Sequence, residues 1–218
     1  MKKFTLAEAL RYGWDTALKN IGFLIAVVIV GWVIPNIPSA LSTAVAKYST
    51  LLSVIFTLLG MLISFIIQIG MIKIALKIYD NQIPDFGDLF NHTRLFFKFL
   101  IGSMVYFAMV FGGMILLIVP GIILAIKYQF MVYFIVDQEM SPMEALRRSG
   151  EITEGIKWDL FALDLALMGI NMMAAVFTCG LGILVTAPMT MMAMAYVYRR
   201  LTGPAQPEQM VSVPPAIG

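Results

Sequence analysis

Long apolar runs alternate with short polar stretches along the whole chain. Six runs approach or reach the roughly 20 apolar residues that a helix needs to cross the hydrocarbon core of a bilayer. The residue-by-residue alternation typical of a membrane β-barrel strand is absent, so we expect the runs to be helical. The pattern predicts an all-α, polytopic integral membrane bundle with a single transmembrane domain over 1–201 and spans at about 21–40, 51–72, 99–119, 121–136, 160–178 and 181–198.

Each pair of predicted spans follows a polar stretch that begins with a helix-capping pattern. The pattern is a capping residue followed three positions later by an acid, and it occurs at Thr5/Glu8, Asp85/Asp88 and Ser141/Glu144. The stretches predict cytoplasmic interfacial amphipathic helices at about 5–19, 86–98 and 142–150. The chain is then three hairpins, each preceded by an interfacial helix. Duplication explains this arrangement, but so does the general need of any membrane-entering helix for a cap and an amphipathic face.

The pair Pro120-Gly121 interrupts the longest apolar stretch of the chain. Residues 99–136 would extend about 57 Å as one helix, against a hydrocarbon core of about 30 Å. Proline lacks a helical N–H and glycine accepts positive φ, so the pair is typical of a tight turn. We expect an outward-facing hairpin turn here. A re-entrant segment is the alternative, because it would leave the charges on the same sides.

Composition and charge placement support the membrane assignment. Hydrophobic residues make up 60% of the chain and charged residues 13%, well below the quarter that is usual in soluble domains. Thirteen of the fifteen lysines and arginines fall on one predicted side, which predicts both termini in the cytoplasm. The net charge of +2 is not concentrated in a basic patch, so we expect no nucleic-acid partner. The Pro-rich tail, 202–218, is predicted to be a disordered cytoplasmic segment.

A few polar residues within the spans are the candidates for function: Lys127, Asp164, Gln68 and Asn171. Lys127 lies two turns from the predicted outer end of its span. It either extends its ammonium group to the outer headgroups or faces the bundle interior. Asp164 is its one plausible deep acidic partner, but a direct pair would need unequal insertion, so we do not expect one. Asn171 and Gln68 are expected to form hydrogen bonds between helices.

The residues needed for most enzyme chemistry are scarce. His92 is the only histidine and Cys179 the only cysteine, which leaves little material for a metal site or a nucleophile–base pair. The usual phosphate-binding, esterase and metalloprotease motifs are absent. We therefore expect a protein that is not an enzyme and that needs no metal or other cofactor.

One segment of about 40 residues carries a resemblance. It contains Pro120-Gly121-Ile122, an aromatic-rich span that ends in acids at Asp137 and Glu139, and the sequence SPMEAL from Ser141 followed by Ser149, Thr153, Gly155 and Trp158. It resembles a family of uncharacterised bacterial polytopic membrane proteins that includes the membrane domain attached to some glycerophosphoryl diester phosphodiesterases. The resemblance implies a platform or accessory role in the bacterial inner membrane. Lys127, Tyr128 and Gln129 depart from the expected pattern.

Two functions follow as expectations. The first is a scaffold, assembly factor or accessory subunit for a membrane complex or a lipid-linked process. Its cytoplasmic interaction loop, with Ser141, Glu144, Arg147 and Arg148, would contact membrane lipid or other membrane protein subunits. The alternative is a component of a transporter or permease for a small solute, an ion or a lipid, with Lys127 as its central residue.

Overall fold

A computed structural model describes residues 4–203, and every regular element in that range is helical. This confirms the all-α prediction. Five helical segments are long and apolar enough to cross a membrane: Ile21–Val45, Thr50–Tyr79, Phe86–Leu116, Ile118–Gln138 and Lys157–Phe177. Nearly all of the predicted tail lies outside the described residues. The α-helices are α1 (Leu6–Lys19), α2 (Ile21–Val45), α3 (Thr50–Tyr79), α4 (Phe96–Leu116), α5 (Ile118–Tyr128), α6 (Met131–Gln138), α7 (Pro142–Ile152), α8 (Lys157–Phe177) and α9 (Ile183–Thr202).

Helix α9, which covers most of the predicted sixth span, is not among these five segments. It packs against α1, α2, α3 and α8, and it buries residues along its whole length. A helix surrounded by protein does not need a fully lipid-compatible surface. Its sequence can therefore include threonines, tyrosines and two arginines near its C-terminal end. Helix α9 is the centre of the fold, and its surroundings explain its lower hydrophobicity.

Helix α1 begins with the predicted capping box, in which Thr5 and Glu8 exchange hydrogen bonds of 3.3 and 3.1 Å. A stripe of small residues (Ala9, Gly13 and Ala17) is buried along the helix. A Cβ atom on Gly13 would come within 2.7 Å of the Met189 carbonyl oxygen, so this stripe permits close approach to α9. The larger apolar residues Leu6, Trp14 and Leu18 remain exposed.

Helices α2 and α3 form a hairpin in which both helices are longer than predicted. Helix α2 continues through Pro35 and Pro38 to Val45, beyond the predicted end of the first span at about residue 40. Near the turn, the buried Ser42 hydroxyl lies 2.9 Å from the Ser53 hydroxyl and 2.8 Å from that of Thr57. Hydrogen bonds between small polar side chains are a common way of joining helices in membranes.

The prediction of a turn at Pro120-Gly121 is wrong, because the longest apolar stretch is interrupted earlier in the chain. Leu117 is the extended residue (φ −161°, ψ 143°) between α4 and α5. Pro120 and Gly121 lie in the first turn of α5, where a proline costs no helical hydrogen bond. A Cβ atom on Gly121 would come within 2.8 Å of the Met114 backbone nitrogen, so Gly121 allows α4 and α5 to pack closely.

Helices α5 and α6 together return the full length of α4. Helix α4 has 21 residues, and the segment Ile118–Gln138 also has 21. Glu139, which follows α6, forms an ion pair with Arg94, and its carbonyl oxygen accepts a 2.5 Å hydrogen bond from Lys98. Arg94 lies just before α4, and Lys98 lies in its first turn. The two legs therefore lie antiparallel and have the same length, and the second leg, predicted as 121–136, is interrupted between Tyr128 and Met131.

The amphipathic helix predicted at 86–98 is not formed. The structure instead has two short 3-10 helices, Phe86–Leu89 and Thr93–Leu95, and α4 begins at Phe96. The predicted capping pair Asp85/Asp88 is present, but it starts only one short turn. A Cβ atom on Gly70 of α3 would come within 2.3 Å of the Leu89 Cα atom. Close packing on α3 and a 2.6 Å ion pair between Lys77 and Asp88 hold this segment as two short turns, so the predicted longer helix does not form.

Helix α7 forms close to its predicted bounds and begins with Ser141 as its N-cap. It packs against α4, α5 and α6, and Ala145, Leu146, Ser149 and Gly150 form its buried face. The opposite face carries Glu144, Arg147 and Arg148, which are exposed. Helix α7 therefore folds back along α6 and brings its C-terminal end to the end of α5.

Candidate functional site

A buried arginine joins the ends of three helices. Arg199, near the end of α9, donates to both carboxylate oxygens of Asp137 on α6, at 2.7 and 2.9 Å. It also donates to Asp80, directly after α3, at 2.6 Å. The Arg199 side chain is 3% exposed, Asp137 9% and Asp80 20%. We call Arg199, Asp137, Asp80 and Tyr198 the charge clamp.

Aromatic side chains surround the charge clamp. The Tyr198 hydroxyl donates to Asp137 at 3.0 Å, and Phe134 packs edge-on against the Tyr198 ring. Tyr12 of α1 stacks on Tyr196 of α9 at 4.8 Å between ring centroids. Burial raises the pKa of Tyr12 above its ordinary value. The aromatic groups reduce the access of water and so strengthen the interactions within the clamp.

The geometry of the clamp suits a structural role. Each carboxylate accepts at least one charge-assisted hydrogen bond from the single guanidinium group, and Asp137 is held in a bidentate pair. Within the described residues, one nitrogen of the group, Arg199 Nε, has no hydrogen-bond partner. The two carboxylates thus compensate the buried cation. The clamp also fixes the ends of α3, α6 and α9 at one end of the bundle.

A second charged region lies where α5, α7 and α8 meet. The hydroxyl groups of Ser149 and Thr153 on α7 each lie 3.0 Å from the Lys127 carbonyl oxygen at the end of α5. A cavity of about 280 Å³ opens beside this junction. It is lined by Lys127, Tyr128, Arg147, Gly150, Glu151, Glu154 and Lys157, and we call it the cationic pocket. The Lys127 ammonium group lies 5.1 Å from the centre of the Tyr128 ring.

An apolar cavity adjoins the cationic pocket. It has a volume of about 350 Å³ and lies between α5 and α8. Its lining is Val119, Ile122, Ile123, Ile126, Lys157, Trp158 and Phe161, and we call it the apolar groove. Lys157 lines both cavities, so a polar compartment and an apolar compartment meet at the first residue of α8.

Lys127 is predicted to lie two turns from the outer end of its span. Its carbonyl oxygen contacts Ser149 and Thr153 of α7, the helix predicted to be cytoplasmic, because α7 folds back along α6. Lys127 and Asp164 do not form an ion pair with each other. Asp164 lies instead next to Gln129, with Tyr106 and Tyr133 nearby.

The other predicted intramembrane residues divide into two cases. Asn171 of α8 donates to Thr190 and accepts from Thr186, each at 2.8 Å, and both partners are on α9. The predicted hydrogen bond between helices is therefore present at Asn171. Gln68 of α3 is exposed and forms no hydrogen bond with another residue among 4–203. Nothing in the structure assigns a role to Gln68.

The predicted interaction loop is helix α7 with its N-cap. The Ser141 hydroxyl accepts a 3.4 Å hydrogen bond from the Glu144 backbone. Arg147 and Arg148 are both close to Glu151, at 3.0 and 3.5 Å. The predicted turn residues Pro120 and Gly121 lie near the start of α5, whereas α7 contacts the end of α5 at Lys127. Among residues 4–203, no group of three or more histidine, cysteine, aspartate or glutamate side chains is placed to hold a metal ion.

Sequence reasoning did not identify the charge clamp. In the sequence, Arg199 is one of many cations on the predicted cytoplasmic side, and nothing distinguishes Asp80 from the other acids on that side. A usable signal was present, because Asp80, Asp137 and Arg199 all lie at the ends of apolar runs on the same predicted side. Charges at such positions are candidates for pairing, but the spans alone do not show which helices are neighbours.

Comparisons with known proteins identify an uncharacterised family. The chain is 27% identical over 146 residues to the uncharacterised protein Mb2590 of Mycobacterium bovis and to the uncharacterised protein Rv2560 of Mycobacterium tuberculosis. The match covers 67% of this chain and 44% of each relative, so the chain matches less than half the length of these proteins. These relatives show no link to a glycerophosphoryl diester phosphodiesterase. No solved structure matches the chain. The model of a family described as "Protein of unknown function (DUF975)" matches residues 39–205, and the chain therefore belongs to the DUF975 family.

Proposed function

We propose that this protein is a non-enzymatic integral membrane scaffold, assembly factor or accessory subunit for a membrane complex or a lipid-linked process. The bacterial cytoplasmic membrane, with both termini in the cytoplasm, is part of the proposal. So is the platform role implied by the resemblance to the membrane domain of some glycerophosphoryl diester phosphodiesterases. The main support is the charge clamp, whose buried charges bind one another and hold three helix ends together.

The surface available for interaction is the exposed face of α7. Glu144, Arg147 and Arg148 lie on this face, while the buried face is held by α4, α5 and α6. Met143, which is 66% exposed, adds an apolar group beside them. Charged residues around an apolar side chain on a firmly packed helix are suited to contact with another membrane protein or with lipid headgroups.

Site-specific photocrosslinking in native membranes tests this proposal. A photoreactive residue at Met143 should capture one membrane protein or lipid species in near-stoichiometric amount. The charge reversal Arg147→Glu with Arg148→Glu should reduce that product several-fold, while Lys47→Glu, at the exposed turn between α2 and α3, should not. A set of weak products that is insensitive to the α7 charges would contradict the proposal.

A transporter component is the second candidate, supported by the interruption between α5 and α6 close to Lys127. Discontinuous membrane helices often form the binding sites of transporters, because their free backbone groups can contact a solute. Flux measurements in proteoliposomes, over a panel of ions and small solutes, would test this candidate. Lys127→Ala should abolish any flux that the wild-type protein supports. Unchanged flux in this variant would remove the central residue of the candidate.

A further inference from the structure

The cationic pocket and the apolar groove form one continuous two-part site. The polar part contains Lys127, Arg147 and Lys157 together with Glu151 and Glu154. The apolar part is formed by aliphatic side chains of α5 and by Trp158 and Phe161 of α8. Since Lys157 lines both parts, one molecule with a charged end and an apolar end could occupy both.

The charges of the pocket favour an anion. The Glu151 carboxylate interacts with two arginines, Arg147 at 3.0 Å and Arg148 at 3.5 Å, so its own charge is compensated. Lys127 takes part in no ion pair with another residue among 4–203, and its ammonium group lies 5.1 Å from the centre of the Tyr128 ring. Lysine binds phosphate as a strongly hydrated point charge with three donors.

The location of the site favours a lipid over a soluble anion. Lys157 and Trp158 are the first residues of α8, a helix long and apolar enough to cross a membrane. Trp158 is 83% exposed, and exposed tryptophans are enriched where the headgroups meet the hydrocarbon core. From this level the apolar groove follows α5 and α8 towards exposed residues such as Val119. A headgroup and an acyl chain have this same arrangement.

The pocket is held by the docking of α7. The hydroxyls of Ser149 and Thr153 lie 3.0 Å from the Lys127 carbonyl and so fix the end of α5 against α7. A Cβ atom on Gly150 would be 3.1 Å from Lys127 Cε, so the glycine leaves room for the lysine stem. The position of Lys127 therefore depends on contacts formed by its own backbone, and its ammonium group remains available.

We propose that this two-part site binds an anionic phospholipid, with its phosphate at Lys127 and Lys157 and one acyl chain in the apolar groove. This lipid site rests on the function proposed above, because it names the class of lipid that the scaffold would bind. The binding itself can be measured on the purified protein without any partner. Its failure is therefore distinguishable from failure of the α7 crosslinking, which requires native membranes.

Native mass spectrometry of the purified full chain in detergent tests the proposal. The protein is titrated with phosphatidylglycerol and with phosphatidylcholine of the same acyl chains. We expect several-fold greater retention of the anionic lipid. The double variant Lys127→Gln/Lys157→Gln should lower this retention towards that of phosphatidylcholine, while Lys47→Gln should leave it unchanged. Equal retention of the two lipids would overturn the proposal. So would an equal loss of phosphatidylglycerol retention in Lys127→Gln/Lys157→Gln and in Lys47→Gln.

Two further arms separate the headgroup from the chain. Ile123→Trp adds bulk to the apolar groove without changing charge, and it should reduce phosphatidylglycerol retention several-fold. Inorganic phosphate at millimolar concentration should displace little of the lipid, because it cannot occupy the groove. Full displacement by phosphate, or normal retention by Ile123→Trp, would show that the groove binds no chain and would contradict the two-part site. Circular dichroism of each variant confirms that it is folded.

Discussion

The charge clamp and the cationic pocket use similar residues in opposite ways. In the clamp, a buried guanidinium group binds two largely buried carboxylates at 2.6–2.9 Å. In the pocket, Lys127 and Lys157 line an open cavity, and Lys127 has no ion-pair partner among residues 4–203. Buried charges need compensation within the protein, whereas open charges can be compensated by a ligand. The difference predicts that the clamp mainly determines stability and the pocket mainly determines binding.

The largest expected effect is that of Arg199→Ala. This change leaves Asp80 and Asp137 without their shared cation, and removing one partner of a buried ion pair costs about 3–5 kcal/mol. Unfolding in a denaturing detergent titration should therefore shift strongly. Arg200→Ala is the matched control, because Arg200 is the next residue and is exposed. Equal shifts for the two variants would contradict the structural role of the clamp.

An intermediate effect is expected at the junction that holds the pocket. The double variant Ser149→Ala/Thr153→Val removes both hydroxyl donors to the Lys127 carbonyl and should cost about 2 kcal/mol, the typical penalty for leaving a buried acceptor without a partner. Faster hydrogen exchange in α7 should accompany it. Ser64→Ala/Thr43→Val provides the control, since these hydroxyls bond only within their own helices. Unchanged exchange in α7 would rule out this role for the two hydroxyls.

A smaller effect is expected for Tyr198→Phe. The change removes the 3.0 Å hydrogen bond that the hydroxyl donates to Asp137 and the weak 3.4 Å one that it accepts from Gln138, and it leaves the arginine contacts of Asp137 in place. The loss should be about 1 kcal/mol, measured as above. Tyr48→Phe, at a residue that is 89% exposed, should have no measurable effect. A loss as large as that of Arg199→Ala would mean that the hydroxyl is as important to the clamp as the guanidinium group.

The smallest effect on stability is expected for Lys127→Gln/Lys157→Gln. The side chains line an open cavity, so the change in unfolding free energy should stay within about 0.5 kcal/mol. The same protein should lose retention of anionic lipid. A large loss of stability would show that the lysines support the fold, and the contrast with the clamp would then be wrong.

Local sequence signals predicted the helices better than they predicted the breaks between them. The caps at Thr5 and Ser141 begin helices close to the expected residues, because a cap acts within one turn. Asp85 and Asp88 form the same pattern, but contact with α3 limits that segment to 3-10 turns. Pro120 is compatible with both a turn and the first turn of a helix. Packing of α5 against α4 at Gly121 favours the helical alternative, and the break therefore lies at Leu117.

The candidate site was less predictable because it depends on the docking of separate helices. Lys127 was recognised as a candidate from its unusual position in an apolar run. Its environment depends on α7 folding back to place Ser149 and Thr153 against its carbonyl, and no local pattern encodes that contact. Arg199 shows the same limit, since its partners are 119 and 62 residues away in sequence.

These separations in sequence also determine the order in which the protein can be completed during synthesis. Asp80 and Asp137 emerge from the ribosome before Arg199, so both acids precede the residue that neutralises them. The hairpin of α4 to α6 can close earlier, because Glu139 meets Arg94 and Lys98 within one contiguous segment. Insertion of α9 then delivers the missing cation and joins three helix ends in a single step. The charge clamp can therefore form, and join the ends of α3 and α6, only after α9 has been synthesised.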